Sequence, residues 1–414
     1  MSPSERQPRI ALALAGGGLE GAVYEIGALR ALEESLEGID FERDVAIYVG
    51  VSAGAFIAAC LANGLSTTQL VRSIVKQPGH QHPFVPETFF TPAAGEWLAS
   101  ASRVPGLLVD ALVDYVRHPA DLSLLESLTR LSRALPVGLF DNEPLRVFLE
   151  RIFSLRGRTD DFRELRRRLV VVAAELDSGA AVRFGDPGLD DVPISKAVQA
   201  STALPGLYPP VRIGERYYVD GVLLKTLHAS VALDAGAALT LCINPIVPVD
   251  TGDAVRAGVL ESGTLVERGL PAVLSQTFRT LVHSRLDVGL STYTPRYPGQ
   301  DVVLIEPQRD DYRMFFTNIF SFSSRKAVAE HAYRSTRAQL LRRSGELEPL
   351  LARHGIRYRR DVLADPSRDL WRGAGLPPSR NNTSNLAEEL EQTLTRVEHA
   401  LERLSRQRLL PDGA

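Results

Sequence analysis

Gly50-Val51-Ser52-Ala53-Gly54 sets one serine between two glycines at the spacing of a nucleophile elbow. Flanking glycines leave room for a tight strand-to-helix turn, so the serine oxygen stands clear of its neighbours. A helix starting near Ala53 aims its first amides, the Ala53 amide among them, at the point where an oxyanion forms during acyl transfer. A second glycine cluster, Gly16-Gly17-Gly18, follows the first apolar run. Consecutive glycines let main-chain amides point into one concavity without side chains in the way. Read together, Ser52 supplies a nucleophile, and Gly16, Gly17, Gly18 and Ala53 supply backbone donors for an oxyanion hole.

The glycine cluster has a second reading. Gly16-Gly17-Gly18-Leu19-Glu20-Gly21 fits the G-x-G-x-x-G dinucleotide fingerprint. That fold places an acid at the end of its second strand, for the ribose hydroxyls. The sequence has Val49-Gly50-Val51-Ser52 there, with Asp40 and Asp44 ahead of the strand instead. No bound cofactor is therefore expected. Nor is a metal expected, since no close His, Cys or Asp cluster shows ligand spacing.

The elements that must carry these residues follow from patterning. Ile10–Ala15 and Val45–Val49 read as buried strands, Ala22–Leu36 and Ala55–Ala62 as helices. Strand, glycine turn and helix occur twice within about sixty residues, which implies a parallel sheet covered by helices. Arg168–Ala174, Ala181–Phe184, Val211–Ile213, Tyr217–Val219, Ala237–Asn244 and Val302–Glu306 continue the sheet, with a helix over Ile194–Ala200. Between them, residues 78–140 form a Pro-, Phe- and Leu-rich helical insertion, read equally as a lid or as a plain cap.

A serine nucleophile needs a base. The eight histidines (His80, His82, His118, His228, His283, His331, His354 and His399) sit in no context that marks one out. Ser52 also comes early: α/β-hydrolases place several strands before the elbow, and here one precedes it. The motifs instead resemble, in order, those of the patatin-like phospholipases. Gly16-Gly17-Gly18-x-x-Gly21 resembles the glycine loop and Gly50-x-Ser52-x-Gly54 the elbow. Ala200-Ser201-Thr202-Ala203-Leu204-Pro205 through Pro209-Pro210 resembles the A-S-x-A-x-P-x-x-F-P-P stretch. Tyr218-Val219-Asp220-Gly221 resembles the D-G-G/A motif, and Glu175–Gly179 a strand-turn of the family. The resemblance covers roughly residues 8–240.

It implies an α/β fold built as a three-layer α/β/α sandwich with a mainly parallel central sheet. It also implies a Ser52–Asp220 dyad that forms an acyl-enzyme on lipid esters. With an ordinary aspartate pKa of about 3.9, such a dyad would rely more on positioning than on proton affinity. Two positions depart from the pattern. Glu20 stands where the family usually has Arg or Lys, which predicts poor turnover of anionic phospholipids. Val222 follows Asp220-Gly221 in place of Gly or Ala, either narrowing the pocket or packing beneath it. The alternative function on this fold is a lipid-binding or scaffold protein of weak activity.

Bulk properties bound the rest. Formal net charge is −3, so no basic field argues for nucleic acid. Arginines at 163–168 and 357–360 read as solvated faces. Two cysteines, Cys60 and Cys242, give no disulfide framework. The polar N-terminus has no signal-like apolar stretch, and no run of about eighteen apolar residues occurs, so a cytoplasmic protein with at most peripheral membrane contact is expected. Residues 1–9 read as a disordered tail, 10–310 as the catalytic domain and 311–414 as a helical extension, with a linker at 364–384. The phenylalanine-rich stretch 313–322, like Trp97-Leu98, is either core or a lipid-facing surface. Leu386, Leu390, Leu394, Val397, Leu401 and Leu404 form a stripe on a helix over 385–409, a candidate contact for a second copy or for the body.

Overall fold

The computed structural model describes residues 9–74, 91–93, 137–256, 265–309, 311 and 322–376. In chain order its strands are β1 (Ile10–Leu14), β2 (Leu36–Glu37), β3 (Val45–Val51), β4 (Thr91–Pro92), β5 (Phe140–Asp141), β6 (Arg168–Glu175), β7 (Ala181–Phe184), β8 (Val211–Ile213), β9 (Arg216–Asp220), β10 (Leu239–Ile243), β11 (Asp301–Ile305) and β12 (Arg357–Tyr358). Eight of them form one sheet in the order β11-β10-β1-β3-β6-β9-β8, with β7 paired to β6 outside that path. The run from β11 to β6 is parallel, while β7, β9 and β8 pair antiparallel.

Strand periodicity divides the buried residues between two cores. Ile10, Leu12 and Leu14 of β1 and Leu169, Val171 and Ala173 of β6 face one core. Ala11, Ala13, Val170 and Val172, from the alternate positions, face the other. Successive side chains of a strand point to opposite faces, so continuous apolar runs bury both sides of a sheet. On the first face lie α1 (Gly18–Ser35), α2 (Ala53–Ala62), α3 (Thr67–Ile74) and the helices Glu143–Phe153 and Ile194–Ser201. On the second lie the helices Ala229–Asp234 and Leu270–Arg296, which supply Ala229, Ala232, Leu286 and Tyr293. This is the three-layer sandwich with a mainly parallel central sheet that the motifs implied.

Helix α1 begins at Gly18, four residues before the apolar periodicity starts at Ala22, so the glycine loop runs directly into its first turn. Residues 322–376 of the extension pack on the body: Val328, Ala329, Ala332 and Tyr333 of the helix Phe322–Arg342 join the first core, and β12 pairs with β2. The compact unit runs to Leu376. Part of the expected linker is packed as well, since Leu370, Trp371, Ala374 and Leu376 are buried. There Pro366 lies between two short helices, Arg360–Ala364 and Leu370–Gly373, and Gly373 and Gly375 lie at the end of the second. Within the insertion 78–140, β4 pairs with β5, Gly138 bridges to Gly206, and the Phe140 amide donates to the Leu207 carbonyl. The remainder of that insertion, the tail 1–8, the stretch 312–321 and the helix 385–409 lie outside the described residues.

Candidate active site

The parallel strands β1 and β3 end side by side, with Leu14 paired to Gly50. Their carboxyl ends place the glycine loop next to the elbow, where open α/β sheets bind ligands. Ser52 sits on the turn between β3 and α2 with φ 55 and ψ −125. Among the described residues it alone has a positive φ without being glycine. Such backbone geometry costs about 1–3 kcal/mol and persists only where the surroundings over-determine it. The surroundings here are close. A Cβ on Gly54 would lie 2.5 Å from the Ala15 carbonyl oxygen, to which the Gly54 amide donates at 3.0 Å. Glycine at 54 therefore lets the start of α2 press against the end of β1.

Asp220 arrives from the other direction. Strand β9 runs antiparallel to β6 with Asp220 opposite Ala173, one residue past the Val51–Val172 pair of β3 and β6. Gly221 must then pass over β6, where a Cβ would come 2.5 Å from the Val172 carbonyl oxygen and 2.9 Å from Val51. The result is a direct contact: Ser52 Oγ donates to Asp220 Oδ2 at 2.6 Å. Asp220 Oδ1 accepts the Val222 amide at 2.9 Å, and the Asp220 amide donates to the Ala203 carbonyl at 3.0 Å. Both carboxylate oxygens and the backbone are thus held.

Asp220 is 2 % exposed. Burial pushes its carboxyl up to about 7, against the hydrogen bonds from Ser52 and the Val222 amide that act to lower it. Burial therefore raises the proton affinity of the expected base above that of an ordinary aspartate. Three of the described histidines pair with acids other than Asp220. His331 meets Asp311 at 2.5 Å, His354 meets Asp301 at 2.7 Å, and His283 meets Asp287 at 3.2 Å. His228 is buried and pushed down to about 4 by desolvation, so it is neutral at pH 7.

The backbone donors divide. The Gly16 amide donates to the Thr226 carbonyl at 3.3 Å, so it is directed away from Ser52 and the expected role for it is withdrawn. Gly18 and Ala53 open α1 and α2, where an amide has no acceptor within its own helix. Gly17 precedes Gly18 as the cap of α1. Of the five candidate donors and acceptors, Asp220 meets Ser52 directly and Ala53 follows it as the first residue of α2.

The two departures from the family pattern also find places. Val222 is 3 % exposed and packs beneath the glycine loop: a Cβ on Gly16 would lie 2.9 Å from its Cγ2 and 3.2 Å from the Ser52 Cβ. It belongs to a small apolar cluster with Val51, Ile246 and Val282, against which Leu204 and Phe278 pack. Glu20 lies in the first turn of α1 with Arg279, of the helix Leu270–Arg296, 3.9 Å away. Desolvation raises Glu20 to about 7 and Arg279 opposes that rise. The charge reversal read at Glu20 is therefore largely offset by a cation that the sequence pattern did not flag. Ser201 was likewise quoted only as part of a motif, yet its hydroxyl accepts the Ser52 amide at 2.8 Å.

The family model described as patatin-like phospholipase matches residues 12–233. Uncharacterized NTE family proteins of Mycobacterium tuberculosis and Mycobacterium bovis are each 27% identical over 306 residues, 72% of this chain and 41% of theirs. The match thus spans less than half the length of those relatives. Among solved structures, VipD from Legionella pneumophila is 16% identical with a TM-score of 0.37, covering 82% of this chain and 67% of that one. The type III effector ExoU is 15% identical with a TM-score of 0.35, covering 82% of this chain and 54% of that one. Among the described residues no helix is long and apolar enough to cross a membrane.

Proposed function

This chain belongs to the patatin-like phospholipase family, and from that premise we propose that it hydrolyses carboxylic ester bonds of phospholipids or related lipids. In this reading Ser52 and Asp220 act as a catalytic dyad. The observation that carries it is the 2.6 Å hydrogen bond from Ser52 Oγ to Asp220 Oδ2 on a strained elbow.

The chemistry follows from the geometry. Ser52 Oγ attacks the ester carbonyl carbon while its proton passes to Asp220 Oδ2. The carbonyl oxygen takes the negative charge beside the amides of Gly17, Gly18 and Ala53. Collapse of the tetrahedral species breaks the ester C–O bond, and the proton on Asp220 goes to the leaving alkoxide. The acyl group remains on Ser52. Water then attacks that ester, gives its proton to Asp220, and releases the fatty acid as the proton returns to Ser52. A carboxyl pKa of about 7 suits both halves, since one group must accept and donate the proton at neutral pH. The apolar cluster of Val51, Val222, Ile246 and Val282, with Phe278 packed against it, includes the residues next to Ser52 and Gly221 and keeps that side of the dyad dry. Access to a bilayer-held substrate requires transient contact with a membrane surface.

The test is hydrolysis of a medium-chain p-nitrophenyl ester by wild type, Ser52→Ala and Asp220→Asn. Loss of nearly all turnover in both variants is expected. An Asp220→Asn enzyme with the wild-type rate refutes the dyad. A wild type inert on this ester and on lipid esters favours a lipid-binding role instead.

A further inference from the structure

The turn that ends the helix Ile194–Ser201 holds both members of the pair. Ser201 Oγ accepts the Ser52 amide at 2.8 Å and donates to the Val172 carbonyl at 2.6 Å. Two residues later the Ala203 carbonyl accepts the Asp220 amide at 3.0 Å. Ser201 itself is fully buried.

The location of that hydroxyl explains its use. The parallel ladder between β3 and β6 ends at the Val51–Val172 pair. At the next residue β3 turns away into the elbow, and the Ser52 amide and the Val172 carbonyl can no longer meet directly. The Ser201 hydroxyl spans them, accepting from one strand and donating to the other. A buried amide without an acceptor is unfavourable, and here it belongs to the residue with the positive φ. A side chain that both accepts and donates is needed at 201, and no apolar residue of similar size supplies that.

We propose that Ser201 is a positioning residue for the nucleophile: by holding the Ser52 amide it fixes the elbow, and with it the approach of Ser52 Oγ to Asp220. The proposal rests on the reading of Ser52 and Asp220 as the dyad. Ser201 touches no reacting atom, because its hydroxyl is spent on the backbone of Ser52 and Val172. It also turns the Ser52 amide away from the oxyanion, leaving that task to Gly17, Gly18 and Ala53. Without the bridge the elbow relaxes, Oγ shifts, and the chemical step slows while the groups that bind substrate stay in place.

The experiment measures kcat and KM on a soluble p-nitrophenyl ester, with melting temperature, for Ser201→Ala, Ser201→Thr, Ser201→Cys, Ser195→Ala and Ser52→Ala. Ser195 is an equally buried serine at the start of the same helix, but its hydroxyl bonds to Asp160 at 2.6 Å. It reports what general loosening of that helix does. In Ser201→Ala, kcat should fall about 100-fold with KM within about twofold, the signature of a nucleophile displaced by about 1 Å. Ser201→Thr, which keeps the hydroxyl, should recover most of that loss, and Ser195→Ala should lower the melting temperature with kcat unchanged. A folded Ser201→Ala enzyme with wild-type kcat overturns the proposal, as does an equal loss of kcat in Ser195→Ala. Where Ser201→Ala does not fold, Ser201→Cys decides: its weak acceptor predicts reduced kcat, and wild-type kcat overturns the proposal. Turnover that survives Ser52→Ala marks failure of the dyad itself, a result separate from any behaviour of Ser201.

Discussion

Replacing Asp220 by asparagine should make the protein more stable while making it inactive. Burial pushes the folded carboxyl up to about 7 from the ordinary aspartate value of 3.8. The sign follows from linkage. A group raised on folding contributes stability fully below its unfolded pKa, and that contribution is lost as pH rises through the folded pKa. With one unit equal to 1.36 kcal/mol, the raised carboxyl lowers native stability, relative to both states fully protonated, by about 4 kcal/mol at pH 8 and by about 2 kcal/mol at pH 5, where the folded group is protonated and the unfolded one ionised. Asparagine carries no such charge and keeps an oxygen for the Val222 amide. It gives up charge-assisted hydrogen bonds, a loss of about 1–2 kcal/mol. Asp220→Asn should therefore gain about 2–3 kcal/mol at pH 8, and the gain should shrink by about 2–3 kcal/mol at pH 5. Urea unfolding of both proteins at the two pH values reads this from the midpoints, provided the slopes agree. A variant no more stable than wild type at pH 8, or a difference independent of pH, refutes the claim that Asp220 is desolvated and ionised at rest.

Three further outcomes follow from the same contacts. Ester turnover should rise with pH to a half-maximum near 7, as Asp220 ionises; a profile of kcat/KM flat down to pH 5 contradicts this. Gly221→Ala should destabilise the fold by about 2 kcal/mol or more in denaturant melts, because its Cβ meets the Val172 carbonyl oxygen at 2.5 Å. Glu20→Gln removes the acidic charge 3.9 Å from Arg279. It should raise the rate on anionic relative to zwitterionic phospholipid micelles a few-fold, since a partly exposed pair is worth about 1 kcal/mol. An unchanged ratio in those micelles places the pair outside the head-group path.

The sheet was legible because its strands are short apolar runs of β-branched residues between glycine turns, as in Val45–Val51 and Arg168–Glu175. The elbow was legible because glycines at 50 and 54 have a steric purpose that shows as spacing. The long helix Leu270–Arg296 gave no comparable signal. Leu274, Leu281 and Val288 are exposed while Val282 and Leu286 are buried, so apolar residues occupy several faces and no single stripe emerges. Arg279 was hidden with it. The packing of Leu370 and Trp371 was masked by prolines and glycines around them. The Asp220 pKa and the Ser201 bridge depend on burial and on three-dimensional juxtaposition, which no local pattern encodes. The misplaced role of Gly16 has the same origin: a glycine cluster shows that amides are accessible, and only the fold shows that this one faces Thr226.

The most direct test of the Ser52–Asp220 account is labelling of the native protein with a fluorophosphonate, followed by peptide mapping. The account predicts a single stoichiometric adduct on the peptide carrying Ser52, with markedly slower labelling in Asp220→Asn. An adduct on another serine, or none while ester hydrolysis continues, contradicts it.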